Sequence, residues 1–194
     1  MNITTDQIKK LREETGVSVM QCKKALEESL GDMEKAKIIL YKISKQSADK
    51  KADRTLGSGT VCSYIHGNGS VGVLVELLCE TDFVARNEDF KSLARDIAMH
   101  IAAMAPEYVR IEEVKEEDKM KAKELFEKEA GDKPKEIRDK IIEGKLSAYF
   151  GEKVLSDQAF IKNPEVTIQA LVEQATQKFG ERTEIGRFAR FSIN

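Results

Sequence analysis

An α+β fold is expected for this 194-residue chain, and three features of its patterning predict it. Apolar residues alternate with the period of a strand in three short stretches only, two within residues 60–79 and one at the end of the chain. Most of the remainder repeats its apolar residues every three or four positions, the period of a helix. The third feature is order: a hairpin, then a long helical section, then a closing strand, which suits one small antiparallel sheet packed by helices. The expected organisation is a three-helix module over 1–45, a linker over 46–58, and an α+β core over 59–194 that carries a charged helical excursion at about 111–150.

The first helix opens on Thr4 and Gln7, the spacing of a capping box, carries Ile8 and Leu11 on one face, and stops at Gly16. Ser18 and Gln21 repeat the box and open a second helix with Cys22, Ala25, Leu26 and Leu30 at helical spacing, ended by Gly31. Asp32 caps a third, with Met33, Ala36, Leu40 and Ile43. Three helices in so few residues bury little surface, so Val17 and Val19 in the tight first turn need not both lie inside. The stretch KQSADKKADRTLGSG lacks apolar periodicity, although its first part can extend the third helix. Two strands follow, TVCSYIH and VGVLVELLC, joined by GNGS, with Val71, Val73, Val75, Leu77 and Cys79 on one face. A helix starting at Asn87 or Glu88 has Phe90, Leu93, Ala94, Ile97, Ala98, Ile101 and Met104 as its buried stripe, and Pro106 ends it. From 111 to 150 the chain is helical and charged. Its few apolar residues (Ile111, Val114, Met120, Leu125 and Phe126, then Ile137, Ile141, Leu146, Tyr149 and Phe150 after Pro134) suit a projecting, largely solvated excursion. GEKVLSDQAFIKNPEV reads as irregular or extended, and Thr167 caps a helix with Ile168, Leu171, Val172, Ala175 and Phe179 on one side. In the last strand Ile185, Arg187, Ala189, Phe191 and Ile193 alternate with Gly186, Phe188, Arg190 and Ser192, and this strand is expected to pair with the hairpin.

Composition removes several function classes. Apolar residues make up 41% and charged residues 34%, with 32 Lys and Arg against 34 Asp and Glu. A net charge this close to zero gives no long-range field for nucleic acid. No stretch approaches the roughly 20 apolar residues of a membrane span. The N-terminus has no signal-peptide pattern, so a cytoplasmic location is expected. Cys22, Cys62 and Cys79 read as buried reduced thiols, and His66 and His100 have no metal-ligand spacing. Phosphate-loop, dinucleotide, nucleophile-elbow and zinc-helix motifs are all missing, and Cys79 has no histidine in a partner motif. No enzymatic chemistry, cofactor or metal is expected.

One segment does not fit a bland reading. After the apolar strand, CETDFVARNEDF places Asp82 and Phe83 side by side where a loop belongs. Phe83 is either a core anchor against the next helix or an exposed aromatic that fills a partner's pocket. From the residues alone the core reading is favoured, and both stand.

Four stretches shift that balance. LREETGVSVMQCKKALEESLGDMEKA and ETDFVARNEDF resemble the two signatures of bacterial translation elongation factor Ts, the second through Thr81, Asp82, Phe83, Val84, Ala85 and Asn87. KIIEGKLSAYFGEKVLSDQAF and GRFARFSI resemble later segments of the same family, in the same order, so the resemblance spans nearly the whole chain. The resemblance implies a guanine-nucleotide exchange factor for elongation factor Tu, the GTPase that delivers aminoacyl-tRNA to the ribosome. It implies that the N-terminal module is similar to ubiquitin-associated domains and docks on Tu through Arg12, Val19 and Met20. The family often has methionine where this chain has Val19. It further implies that Phe83 wedges beside the nucleotide site and dislodges magnesium, with Thr81, Asp82 and Val84 shaping its presentation. Longer family members duplicate the core; short ones like this chain can pair as homodimers, through the C-terminal sheet. A peptide- or ubiquitin-like-binding adaptor and an RNA chaperone acting through the basic linker are the competing classes.

Overall fold

The computed structural model describes residues 3–130 and 134–193. Its N-terminal module consists of α1 (Thr5–Thr15), α2 (Val19–Glu28) and α3 (Met33–Asp49). Their ends follow local chemistry. The Thr4 hydroxyl accepts from the Gln7 N–H while the Gln7 side chain accepts from the Thr4 N–H, which completes a capping box. Ser18 accepts from the Gln21 N–H, and the Asp32 carboxylate from the N–H groups of Glu34 and Lys35. Gly16 closes α1 at φ 67°, a left-handed conformation that costs a glycine little. The small core between these helices is Leu11, Val17, Cys22, Ala25, Leu26, Ala36 and Leu40. Leu30, expected on the buried face of α2, lies beyond its end. The helix stops at Glu28, and Leu30 at φ 56° and Gly31 at φ 85° turn the chain, leaving Leu30 in solvent. The third helix continues through 46–49, the start of the stretch read as a linker.

The core is built on an antiparallel sheet in the order β1–β2–β5, formed by β1 (Ser58–His66), β2 (Val71–Cys79) and β5 (Glu184–Ser192). Gly59 on β1 faces the Leu77 carbonyl so closely that a Cβ there would lie 2.5 Å from its oxygen, so only glycine fits this crossing. One face of the sheet carries Val73, Val75, Leu77 and Cys79 into the main core against α5 (Glu88–Met104). The alternation expected along β5 does not persist. Between Val75 and Leu77 the pairing shifts by one residue, because Val75 faces Phe188 while Leu77 faces Ile185. This bulge reverses the parity of the strand. Ile185, Phe188 and Arg190 therefore share the core side, with Arg190 donating to the Ala102 carbonyl at 3.2 Å, and Arg187, Ala189 and Phe191 turn to the other face. In α5 the expected stripe is buried except for Leu93, which is half-buried, and Met104, which is exposed at the helix end.

Between these elements lie α4 (Asp82–Ala85), the excursion α6 (Glu116–Ala130) and α7 (Lys135–Gly151), the two-stranded ladder β3 (Ala159–Phe160) and β4 (Asn163–Thr167), and α8 (Ile168–Phe179). Helices α6 and α7 run antiparallel, since the Phe126 ring meets Tyr149 and Lys145 pairs with Glu129. Their small core joins Val114, Ala122, Phe150 and Val154, and Met120 and Leu125 face solvent. Ile142, not its neighbour Ile141, takes the buried position on α7. The N-terminal module sits on α8: Tyr41 packs against the main core and the buried Ser44 hydroxyl meets the Gln177 side chain.

Candidate partner-docking site

Thr81 is extended at φ −125°, ψ 157° and starts a single helical turn, α4, in which the Ala85 N–H donates to the Thr81 carbonyl at 3.2 Å and the Arg86 N–H to the Asp82 carbonyl at 3.1 Å. Successive side chains of a helix fan about 100° apart, so one turn cannot bury four of them. Val84 and Ala85 face the core, and Thr81, Asp82 and Phe83 face solvent. Phe83 is 81% exposed. The core position favoured for it from the residues alone is filled by Val84 and Ala85. Asp82 pairs with Arg86 at 3.0 Å on the open side of the turn, and Asn87 caps α5 immediately afterwards by accepting from the Asp89 N–H at 2.8 Å.

The turn is fastened from the far end of the sequence. The N–H groups of Glu80 and Thr81 donate to one carboxylate oxygen of Glu181 at 3.2 and 3.0 Å, and the Thr81 hydroxyl donates to the other at 2.6 Å. In return, the Arg182 N–H donates to Glu80 at 2.6 Å, and Arg54 pairs with the same carboxylate at 3.2 Å. The Arg182 N–H, with the Arg54 charge, holds the Glu80 carboxyl below the usual carboxylate range. Beneath the turn the Cys79 thiol donates to the Thr81 carbonyl at 3.2 Å, and burial, reinforced by the charge of Glu181, pushes it up to about 11. It is therefore a protonated donor at neutral pH and a poor nucleophile. Cys22 is buried like Cys79, whereas Cys62, expected buried, is only half so; all three are free thiols.

The second expected contact region lies at the α1–α2 corner. Val17 plugs the module's core, which leaves Val19 (50% exposed) and Met20 (71% exposed) on the first turn of α2, with the Arg12 side chain exposed at the end of α1. The two regions meet one shared support. Lys178, in the last turn of α8, pairs with Asp89 at 2.8 Å just beyond the Phe83 turn, and its side chain lies 3.6 Å from where a Cβ on Gly16 would stand. Phe179 beside it packs edge-on against Phe90 at 5.6 Å. None of Lys178, Glu181 or Arg182 is recognisable from sequence. GERTE reads as a polar loop after a helix stop, and its partners lie about a hundred positions away with no local signal.

Among the described residues no group of three or more His, Cys, Asp and Glu could hold a metal ion, and no helix is long and apolar enough to cross a membrane. The site thus joins a helical module to an α+β core, with an exposed aromatic on a braced turn and exposed aliphatics at a helix corner. The sequence pattern of the family described as elongation factor TS matches residues 4–194. The elongation factor Ts of Heliobacterium modesticaldum is 49% identical over 193 residues, covering 98% of this chain and 90% of its own. That of Coprothermobacter proteolyticus is 47% identical over 195 residues, covering 100% and 99%. That of Thermotoga neapolitana is 46% identical over 193 residues, covering 100% and 98%. The chain belongs to the elongation factor Ts family of translation factors.

Proposed function

We propose that this protein is a guanine-nucleotide exchange factor for elongation factor Tu, acting in the cytoplasm with no cofactor of its own, no chemical catalysis and no direct hold on nucleic acid. The observation that carries the reading is the outward Phe83 on a turn braced on its core side, in a chain of this family. The N-terminal module, residues 1–45, is a ubiquitin-associated-like docking unit that engages the GTPase through Arg12, Val19 and Met20. The core, residues 59–194 beyond the 46–58 linker, presents Phe83 beside the nucleotide site, with Thr81, Asp82 and the buried Val84 fixing its pose. Magnesium demands near-ideal octahedral oxygen geometry, so a small displacement of its surroundings by Phe83 weakens it strongly. Loss of the ion leaves the diphosphate charge less compensated, and GDP leaves. The factor binds nucleotide-free Tu better than the loaded form, so by reciprocity incoming nucleotide loosens the factor and lets it act again.

Stopped-flow release of fluorescent GDP from Tu tests this. Catalytic amounts of the protein accelerate release, and Phe83→Ala removes most of the acceleration while the variant keeps its circular dichroism spectrum. A folded wild type that leaves release unchanged sinks the exchange reading and favours the adaptor.

A further inference from the structure

The turn that displays Phe83 has little to hold it by itself. It is a single helical turn, and its own cap is weak, with the Val84 N–H to the Thr81 hydroxyl at 3.5 Å. Isolated turns of this length do not persist in water. Val84 and Ala85 anchor its inner side in the core, and on its outer side the Glu181 carboxylate takes three donors from Glu80 and Thr81 at once. Hydrogen bonds to a charged group are about twice as strong as neutral ones. Its neighbour Arg182 closes the arrangement with a backbone N–H on Glu80 and a side chain that reaches the Arg54 carbonyl at 2.7 Å and the Glu184 carboxylate at 2.5 Å.

We infer that Glu181 is a positioning residue for nucleotide exchange: through the Glu80 and Thr81 N–H groups and the Thr81 hydroxyl it locks the 81–85 turn in the pose that presents Phe83. This rests on the exchange reading above. Glu181 itself need not touch the partner. The lock also joins the two docking regions, because Glu181 follows the end of α8, where Lys178 meets both Gly16 and Asp89. The α8–β5 corner thus sets the Phe83 turn relative to the Val19–Met20 corner. Without the carboxylate, the turn samples other poses and the wedge is presented only part of the time, although the N-terminal module still docks.

The test separates docking from wedging. The maximal rate of fluorescent GDP release from Tu, and the factor concentration that gives half of it, are measured for wild type, Glu181→Ala, Glu181→Gln and Phe83→Ala. Removing three bonds to one charged acceptor costs Glu181→Ala about tenfold in maximal rate, with the half-saturating concentration moved less than about threefold. Glutamine keeps one acceptor oxygen for the two N–H groups and places its amide against the Thr81 hydroxyl, which can accept. Glu181→Gln therefore falls about threefold, between the wild type and the alanine variant. In the free protein, hydrogen exchange at the Glu80 and Thr81 amides speeds up in Glu181→Ala, in step with the rate loss. Should the alanine variant fail to fold, the glutamine variant decides. Wild-type release rates in the folded variants, beside an inactive Phe83→Ala, overturn the lock and leave the exchange reading intact. An unchanged maximal rate with a half-saturating concentration raised only in proportion to the unfolded fraction also overturns it. A folded wild type with no effect on release overturns both.

Discussion

Phe83 on α4 and Phe90 on α5 share a side chain, and only the path of the backbone separates their roles. Phe90 has no solvent exposure and packs edge-on against Phe179, whereas Phe83 stands almost clear of its own protein. Phe90→Ala opens a cavity and costs about 3–5 kcal/mol of stability. Phe83→Ala removes no packing and changes stability by less than about 0.5 kcal/mol. Urea unfolding of the two variants measures the contrast, and a Phe83→Ala loss as large as that of Phe90→Ala contradicts an outward wedge. Residue chemistry alone could not separate the two, because both follow an acidic residue and precede an amphipathic stretch. What distinguished them in the sequence was the resemblance of TDFVARN to a whole signature. The residue that braces the turn, Glu181, carries no such mark. A carboxylate in a polar loop looks the same whether it faces water or three N–H and O–H donors from another element.

At the level of elements, legibility follows the range of the interactions involved. Helix ends were readable because caps are local: Thr4 with Gln7, Asp32 with Lys35, Thr167 with Ala170 and Gly180 at φ 73° all act within a few residues. The face of β5 beyond Ile185 was not, since the bulge opposite Glu76 is a property of pairing with β2. The choice of Ile142 over Ile141 belongs to the packing of α7 on its neighbours, and a polar helix leaves two adjacent isoleucines equivalent. The β3–β4 ladder lies in a stretch that reads as irregular or extended, and besides the buried Phe160 and Val166 it is attached through His100. The Ile161 N–H donates to His100 Nδ1 at 3.2 Å, so Nε2 carries the proton and donates to Gln158 at 2.9 Å. Gln158 in turn donates to the Glu152 carbonyl at 2.6 Å. Burial lowers the His100 pKa, opposed in part by the Gln158 bond. The folded state thus takes up its proton at lower pH than the unfolded state, whose imidazole titrates near the ordinary value of about 6.5. Stability from this group is complete above about pH 6.5 and falls as pH drops toward the lowered folded value. Protonated Nδ1 would also set an N–H against the Ile161 N–H. Urea midpoints between pH 7.5 and 5 should fall for wild type more steeply than for His100→Gln, with the difference arising below about pH 6.5. Parallel curves would show that the imidazole is not the group responsible.

For the whole molecule, the sheet raises the last question, since among the described residues helices cover only one of its faces. The other presents Val61, Ile65, Leu74 and Phe191, with Ile193 just past the strand end, and within it Arg187 and Glu76 neutralise each other at 2.8 Å. A contiguous apolar face of this kind is seldom left in water. Two sheets pack face to face about 10 Å apart with their side chains interdigitated, and a second copy of this chain offers a surface of matching twist and the same apolar content. A three-stranded face of nine-residue strands spans roughly 430 Å² in projection, so an interface of about 800 Å² from each partner also draws on the surface around it. The paired Arg187 and Glu76 do not oppose burial as lone charges would, because each already has its counterion. We therefore expect a homodimer joined through these faces, as short members of the family are implied to form. Phe191 is the residue to disturb: it is exposed in the single chain, so Phe191→Glu leaves the fold intact while placing a charge on the apolar face. Sedimentation velocity at about 10 µM, a range in which interfaces of this size associate, should give a dimer for wild type and a monomer for Phe191→Glu with an unchanged circular dichroism spectrum. The dimer also links stability to concentration, so the wild-type melting temperature rises on going from about 1 to 100 µM and that of the variant does not. A wild type that sediments as a monomer and melts at one temperature across that range would leave the open face to a different partner.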